Sequence, residues 1–166
     1  MAQTPPASPD PDDADVLDGH EVRPVDAQRV VAWLRSNKQR HFVGGDGQIG
    51  GIWSGCLFTF GIAGQGRVLQ VRGQLNRVVS IDRREELIAL VNARHARTAW
   101  PKCSLVVLDD GSMRVVAEHS TFIGHGLSER QLDRAVRVGL AAALGFFAEI
   151  NARYPDPLSL PPESLS

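Results

Sequence analysis

Apolar and polar residues alternate with a period of two along residues 67–79, RVLQVRGQLNRVV. Leu69, Val71, Leu75 and Val79 fall on one side of that stretch, and Gln70, Arg72, Gln74 and Asn76 on the other. It therefore reads as a strand with one dry and one wet face. The same period recurs in Cys56–Ala63, where Cys56, Phe58, Phe60 and Ile62 share a face. Two shorter extended runs precede it, His41-Phe42-Val43 and Ile49–Trp53, joined through Gly44-Gly45-Asp46-Gly47, residues that tolerate positive φ. Gly64-Gln65-Gly66 closes the next hairpin. Further on, Lys102–Leu108 and Ser112–Phe122 flank Asp109-Asp110-Gly111 and predict a second hairpin, with Cys103, Leu105 and Val107 facing Met113, Val115 and Ala117.

Three stretches follow a helical period instead. Asp26 is a good N-cap for the first, with Val25 and Val30 placed as a hydrophobic staple across it. Val30, Val31 and Leu34 form its stripe with Trp33 at the edge, and Asn37 stops it. Asp82 with Glu85 three residues on predicts the start of the second helix, whose stripe is Leu87, Leu90, Val91 and the ring edge of His95. That helix must end before Trp100-Pro101, because a residue preceding proline is pushed towards extended geometry. Ser128 and Gln131 form a capping box for the third, which runs to Tyr154-Pro155. From Val138 to Ala148 it carries no charge, which predicts burial on every side, inside the chain or under a second subunit. The order is α, three or four strands, α, two strands, α, in its shorter form α-β-β-β-α-β-β-α. It describes an α+β fold, an antiparallel sheet with helices on one face.

Charge changes the picture at the ends. Residues 1–22 hold six acids and no Lys or Arg, leaving thirteen acids against eighteen bases in the remainder. With Pro at 5, 6, 9 and 11, residues 1–22 read as a disordered acidic leader, residues 23–154 as one α+β domain and residues 155–166 as a flexible tail. A 166-residue chain buries roughly 70% of its unfolded surface, enough for one core. The N-terminus has no basic and apolar signal segment, and the Val138–Ala148 run is shorter than the ~20 residues that span a bilayer. The expected place is the cytoplasm, with Cys56 and Cys103 as buried reduced thiols rather than a CxxC or metal pair.

Candidate chemistry is sparse. Gly45-Asp46-Gly47-Gln48-Ile49-Gly50 matches GxGxxG, but Gly51-Ile52-Trp53 continues as extended chain where a dinucleotide motif needs a helix. The five histidines, 20, 41, 95, 119 and 125, show no i,i+4 pair and no HExxH, so neither metal nor cofactor is expected. His41 and His119 lie on strands and could meet across the sheet; the plainer expectation is partly exposed sheet residues. No GxSxG or Cys–His motif marks a nucleophile. Arginines 67, 72, 77, 83, 84, 94 and 97 make residues 67–97 basic, without an aromatic residue there to stack bases. That favours a solvated face or an acidic protein partner over nucleic acid.

Helix 1 with Val30-Val31-Ala32-Trp33-Leu34, then Phe42-Val43 and the Asp46-Gly47 turn, begin a recurring order of local sequences. Gly51-Ile52-Trp53, Leu69-Gln70-Val71-Arg72-Gly73, Trp100-Pro101-Lys102 and Phe146-Phe147 continue it. Together, over residues 25–154, these pieces resemble the YbjN domain family, small bacterial proteins with the fold of type III secretion chaperones. The chain departs from the pattern in its glycines (44, 45, 47, 50, 51, 55, 61, 64 and 66) and its acidic leader. The resemblance implies a chaperone-like or regulatory domain without catalytic residues, dimeric, binding a protein or peptide segment. The alternatives are a nucleic-acid-binding regulator using residues 67–97, and an enzyme whose site is assembled only in the fold. Thr59, Gln70, Arg72, Gln74, Arg114 and Glu118 are the candidate partner-binding residues, on the wet face opposite Phe58, Phe60, Leu69, Val71 and Leu105. Leu87, Leu90 and Val91 are the candidate dimer contact.

Overall fold

Residues 21–155 are described by a computed structural model. The acidic leader and the C-terminal tail lie outside them, apart from residues 21, 22 and 155. In chain order the elements are α1 (Ala27–Ser36), β1 (Phe42–Val43), β2 (Ile49–Trp53), β3 (Cys56–Ala63), β4 (Val68–Ser80), α2 (Arg84–Arg97), β5 (Lys102–Val107), β6 (Ser112–Phe122) and α3 (Glu129–Arg153). The first run thus has four strands, the longer of the two orders that the sequence allows. All six form one antiparallel sheet in the order β1-β2-β3-β4-β6-β5. The second hairpin pairs as its alternation predicts, Cys103 with Ala117, Leu105 with Val115 and Val107 with Met113.

The core lies between one sheet face and the helices. Leu69, Val71, Leu75 and Val79 of β4 are buried, as are Phe58 and Phe60 of β3 and Met113, Val115 and Ala117 of β6. Onto them α1 sets Val30, Trp33 and Leu34, and α3 sets Leu132, Val136, Leu140, Phe146, Phe147 and Ile150. Phe58 and Phe147 meet at 6.3 Å between ring centroids, and Trp53 packs edge-on against Phe58 at 5.6 Å. Two glycines make this approach possible. A Cβ on Gly73 would lie 2.7 Å from the Phe58 ring, and one on Gly139 would lie 2.8 Å from Val71 Cβ. Alanine is too large at both positions.

The helix ends are mostly held as their sequences imply. Asp26 accepts a hydrogen bond from Arg29 N at 2.8 Å. Ser128 and Gln131 form the reciprocal box, Gln131 N donating to Ser128 Oγ and Ser128 N to Gln131 Oε1. Asp82 does not cap α2. A 3-10 turn, Ile81–Arg83, intervenes, and Ser80 caps that turn by accepting from Asp82 N, so α2 starts two residues later with no side-chain cap.

The uncharged run in α3 is not buried on every side. Ala141, Gly145 and Ala148 face outward, and only their small size keeps that surface inconspicuous. By length and composition α3 could cross a bilayer, a test that a long buried core helix also passes. Here its apolar side packs against β4 and β6.

The two helix glycines should respond oppositely to the same change. Gly139→Ala drives a methyl into Val71 and should cost about 1–3 kcal/mol for overpacking. Gly145→Ala meets nothing within 4 Å and should gain up to about 1 kcal/mol of helix propensity. Urea melts of both variants against the wild type measure this, and equal shifts would refute the close approach.

Candidate functional site

With all three helices on one side, no element among the described residues covers the other face of the sheet, which is bare in that sense. Strand register sets its side chains in rows. Thr59 of β3, Arg72 of β4, Glu118 of β6 and Lys102 of β5 stand side by side in one row. Leu57, Gln74, Val116 and Ser104 form the next. Beyond an irregularity in β4 between Gln74 and Val78, Arg114 lies between Val78 and Val106. All six candidate partner-binding residues, Thr59, Gln70, Arg72, Gln74, Arg114 and Glu118, therefore share this surface.

Its electrostatics are unevenly satisfied. Glu118 accepts from Gln70 Nε2 at 3.0 Å and from Ser120 Oγ at 3.2 Å. Arg72 is exposed and forms no ion pair among the described residues, although Glu118 is its direct cross-strand neighbour. Arg114 Nε is buried with no hydrogen-bond partner among the described residues. Val116, flanked by Gln74 and Ser104, is 3% exposed although its place in the alternation points it away from the helices. A rim of exposed apolar residues, Ile52, Leu57, Val78 and Val106, completes the face. The six residues that the sequence assigns to this face are all polar, and none of these apolar neighbours is among them. The alternation of β3, β4 and β5 nonetheless assigns three of the four, Leu57, Val78 and Val106, to it.

The dimer candidates are placed elsewhere than expected. Leu87, Leu90 and Val91 are buried at 0%, 8% and 9% exposure, facing the core of their own chain. An amphipathic stripe needs one dry surface, and here the sheet supplies it, so these residues are not a surface for a second copy. His95 on the same helix accepts a hydrogen bond from Cys103 N at its Nε2, 2.9 Å away.

The arginines of residues 67–97 do not gather on one surface. Arg77 reaches Asn151 Oδ1 at 3.1 Å and the carbonyl of Tyr154, Arg83 pairs with Glu86, and Arg94 and Arg97 both meet Glu149. Only Arg72 of the series stands on the bare sheet face. The GxGxxG segment runs straight into β2 with no helix behind it.

His41 and His119 do not meet, because β2, β3 and β4 separate the sheet edge carrying His41 from β6. Nor is His119 partly exposed: it is 4% exposed and faces the helices, where the Trp100 ring packs on it edge-on at 5.1 Å. Its Nε2 shares a hydrogen bond with Thr121 Oγ1 at 3.2 Å, and its Nδ1 has no partner among the described residues. A Thr–His pair of this kind lacks the third group that would orient the ring for nucleophilic work. Both thiols are likewise buried, and burial pushes the Cys103 thiol up to about 12 and raises that of Cys56. Among the described residues no three His, Cys, Asp or Glu converge as metal ligands.

Three comparisons bear on this arrangement. A family profile, YbjN, described as "Putative bacterial sensory transduction regulator", matches residues 26–152. Among solved structures the chain is similar to YbjN of E. coli, described as "a putative transcription regulator", with a TM-score of 0.69 and 16% identity. That match covers 80% of this chain and 96% of the other, and at such identity it shows a shared fold. No curated protein matches.

Two measurements test these placements. Leu87→Ala should cost about 2–5 kcal/mol as a cavity in the core and leave the mass in light scattering unchanged; a changed mass at full stability would restore Leu87 to an interface. Burial also holds the His119 pKa below its ordinary value. The unfolded state then binds the proton more readily, so stability is complete above about pH 6.5 and falls as pH drops below it towards the folded value. Thermal melts from pH 7 to 5 should fall more steeply in the wild type than in His119→Leu, and parallel curves would contradict the burial.

Proposed function

The chain belongs to the YbjN family, and from that premise we propose that it is a non-catalytic regulatory domain whose bare sheet face docks an extended acidic segment of a partner protein. The observation that carries this reading is the pair of uncommitted arginines on that face. Arg72 has no carboxylate within ion-pair reach among the described residues, and Arg114 holds a buried Nε with nothing to bond. A buried donor without an acceptor costs free energy that an incoming carboxylate would recover.

The surroundings fit a peptide better than a small anion. On β6 the row containing Arg72 and the row containing Arg114 are four residues apart, Glu118 to Arg114, or about 13 Å along a strand. Two acidic side chains on one extended segment can span that distance. The exposed side chains of Leu57, Val78 and Val106 lie beside the arginines, so apolar residues of the same segment would find contacts. Charge-assisted bonds would orient the segment and the apolar rim would supply burial.

The description of the family as sensory transduction regulators agrees with a domain that acts by binding, and it is on this reading that we place the protein in the cytoplasm. A second copy of the chain, if it forms a dimer, would use a surface other than Leu87, Leu90 and Val91.

The test is site-specific photocrosslinking in native cells. A benzophenone side chain at Ile52, on the bare face, should trap a discrete protein, while the same probe at Glu85 on α2 should not. Replacing Arg72 and Arg114 together by Ala should lower the yield at Ile52 by at least about tenfold with the melting temperature nearly unchanged. Equal trapping at both positions, or a yield indifferent to the two arginines, would move the docking site off this face.

A further inference from the structure

The sheet has a second incomplete surface, on the helix side. β5 stops pairing with β6 at Glu118, opposite Lys102, so β6 continues for four residues with no strand neighbour on that side among the described residues. Ile123 N donates to Arg67 O at 2.8 Å, which makes that pair a hydrogen-bonded one. By the alternation of an antiparallel ladder, Ser120 and Phe122 then turn their own N–H and C=O groups to the uncovered side.

Between this free end of β6 and the early turns of α3 lies a cleft of about 400 Å³. Trp100, Ala135 and Val138 give it apolar walls, and His119 and Thr121 line it from the strand. Arg134 is its one cation, forms no ion pair among the described residues, and faces no carboxylate in the lining. That size suits one small ligand, and apolar walls with a few convergent polar groups are the usual composition of such sites.

Two details mark the strand side of the cleft. His119 is 4% exposed and carries an unpartnered Nδ1, an unusual state for a buried ring nitrogen. The side chain that covers it, Trp100, is itself 55% exposed. The exposed remainder of the indole is therefore open to a ligand in the cleft.

We infer that this cleft binds a small aromatic carboxylate, its ring between Trp100 and the Ala135–Val138 wall and its carboxylate at Arg134. The indole supplies a stacking partner, and Arg134 supplies a charge-assisted hydrogen bond that an uncharged analogue cannot use. This inference goes beyond the sheet-face reading and is independent of it, since the two surfaces lie on opposite sides of the sheet.

The experiment is an NMR titration of the full-length protein with 4-phenylbutyrate and, separately, 4-phenylbutanol. Expected are saturable shifts at the Trp100 indole N–H and the Thr121 and Phe122 amides, with the carboxylate binding on the order of tenfold more tightly. Arg134→Gln should abolish that preference, and Val138→Trp, which fills the cleft from a partly exposed position, should abolish binding of both compounds. The inference is overturned if acid and alcohol bind alike, or if the shifts map to Arg72 and Arg114 on the other face. It is equally overturned if no saturable shift occurs, or if the Trp100 signal moves with protein concentration alone, which would assign the cleft to a second copy of the chain.

Discussion

The contact of α3 with β4 and β6 governs the rest of the molecule. A 25-residue helix with Leu132, Val136, Leu140, Phe146, Phe147 and Ile150 along one side has to bury that side. At roughly 1.5–3 kcal/mol for each large apolar side chain, no other element competes for the sheet on equal terms. The approach is close only where side chains are missing. Gly139 lets the helix backbone come down on Val71, and Gly73 lets Phe58 and Phe147 occupy the space above β4.

Once one face is claimed in this way, the parity of the strands disposes of everything else. A strand residue that is not under the helices is on the bare side, and a slip of one residue would exchange the two sets. Thr59, Arg72 and Glu118 are together because the register aligns them, not because they attract one another: Arg72 and Glu118 are cross-strand neighbours without an ion pair. The surplus bases of the body are treated in two ways. Arg77, Arg83, Arg94 and Arg97 tie α2 and the end of α3 to their surroundings, whereas Arg72 and Arg114 are left on the open sheet.

Where reading from sequence failed, the cause was a competing local or tertiary effect. Asp82 is a sound cap by residue type, but Ser80 sits two residues earlier and its hydroxyl takes the Asp82 N–H, making a 3-10 turn first. Leu87, Leu90 and Val91 form an amphipathic stripe that looks alike whether it meets a sheet or a second subunit. His119 continues the buried parity of β6 after Ala117, a signal present in the alternation but outweighed by the usual polarity of histidine. Its cover, Trp100, comes from the segment before β5, and no spacing in the chain announces that contact.

What the amino-acid sequence by itself determined is the set of elements, their order, and the two faces of each strand. These follow from period-two and helical periodicities, from caps such as Asp26 and Ser128, and from turn residues, all of which act over a few neighbouring positions. The register of the second hairpin was legible for the same reason, its turn being short. The tertiary structure alone decided strand order across the sheet, with β6 between β4 and β5. It also decided which residues share a row on the bare face, and the cleft left where β5 ends short of β6. Those features bring together residues distant in the chain, such as Arg72 and Glu118 or Trp100 and Val138, and such neighbours are selected by the packing of the whole chain rather than by any local preference.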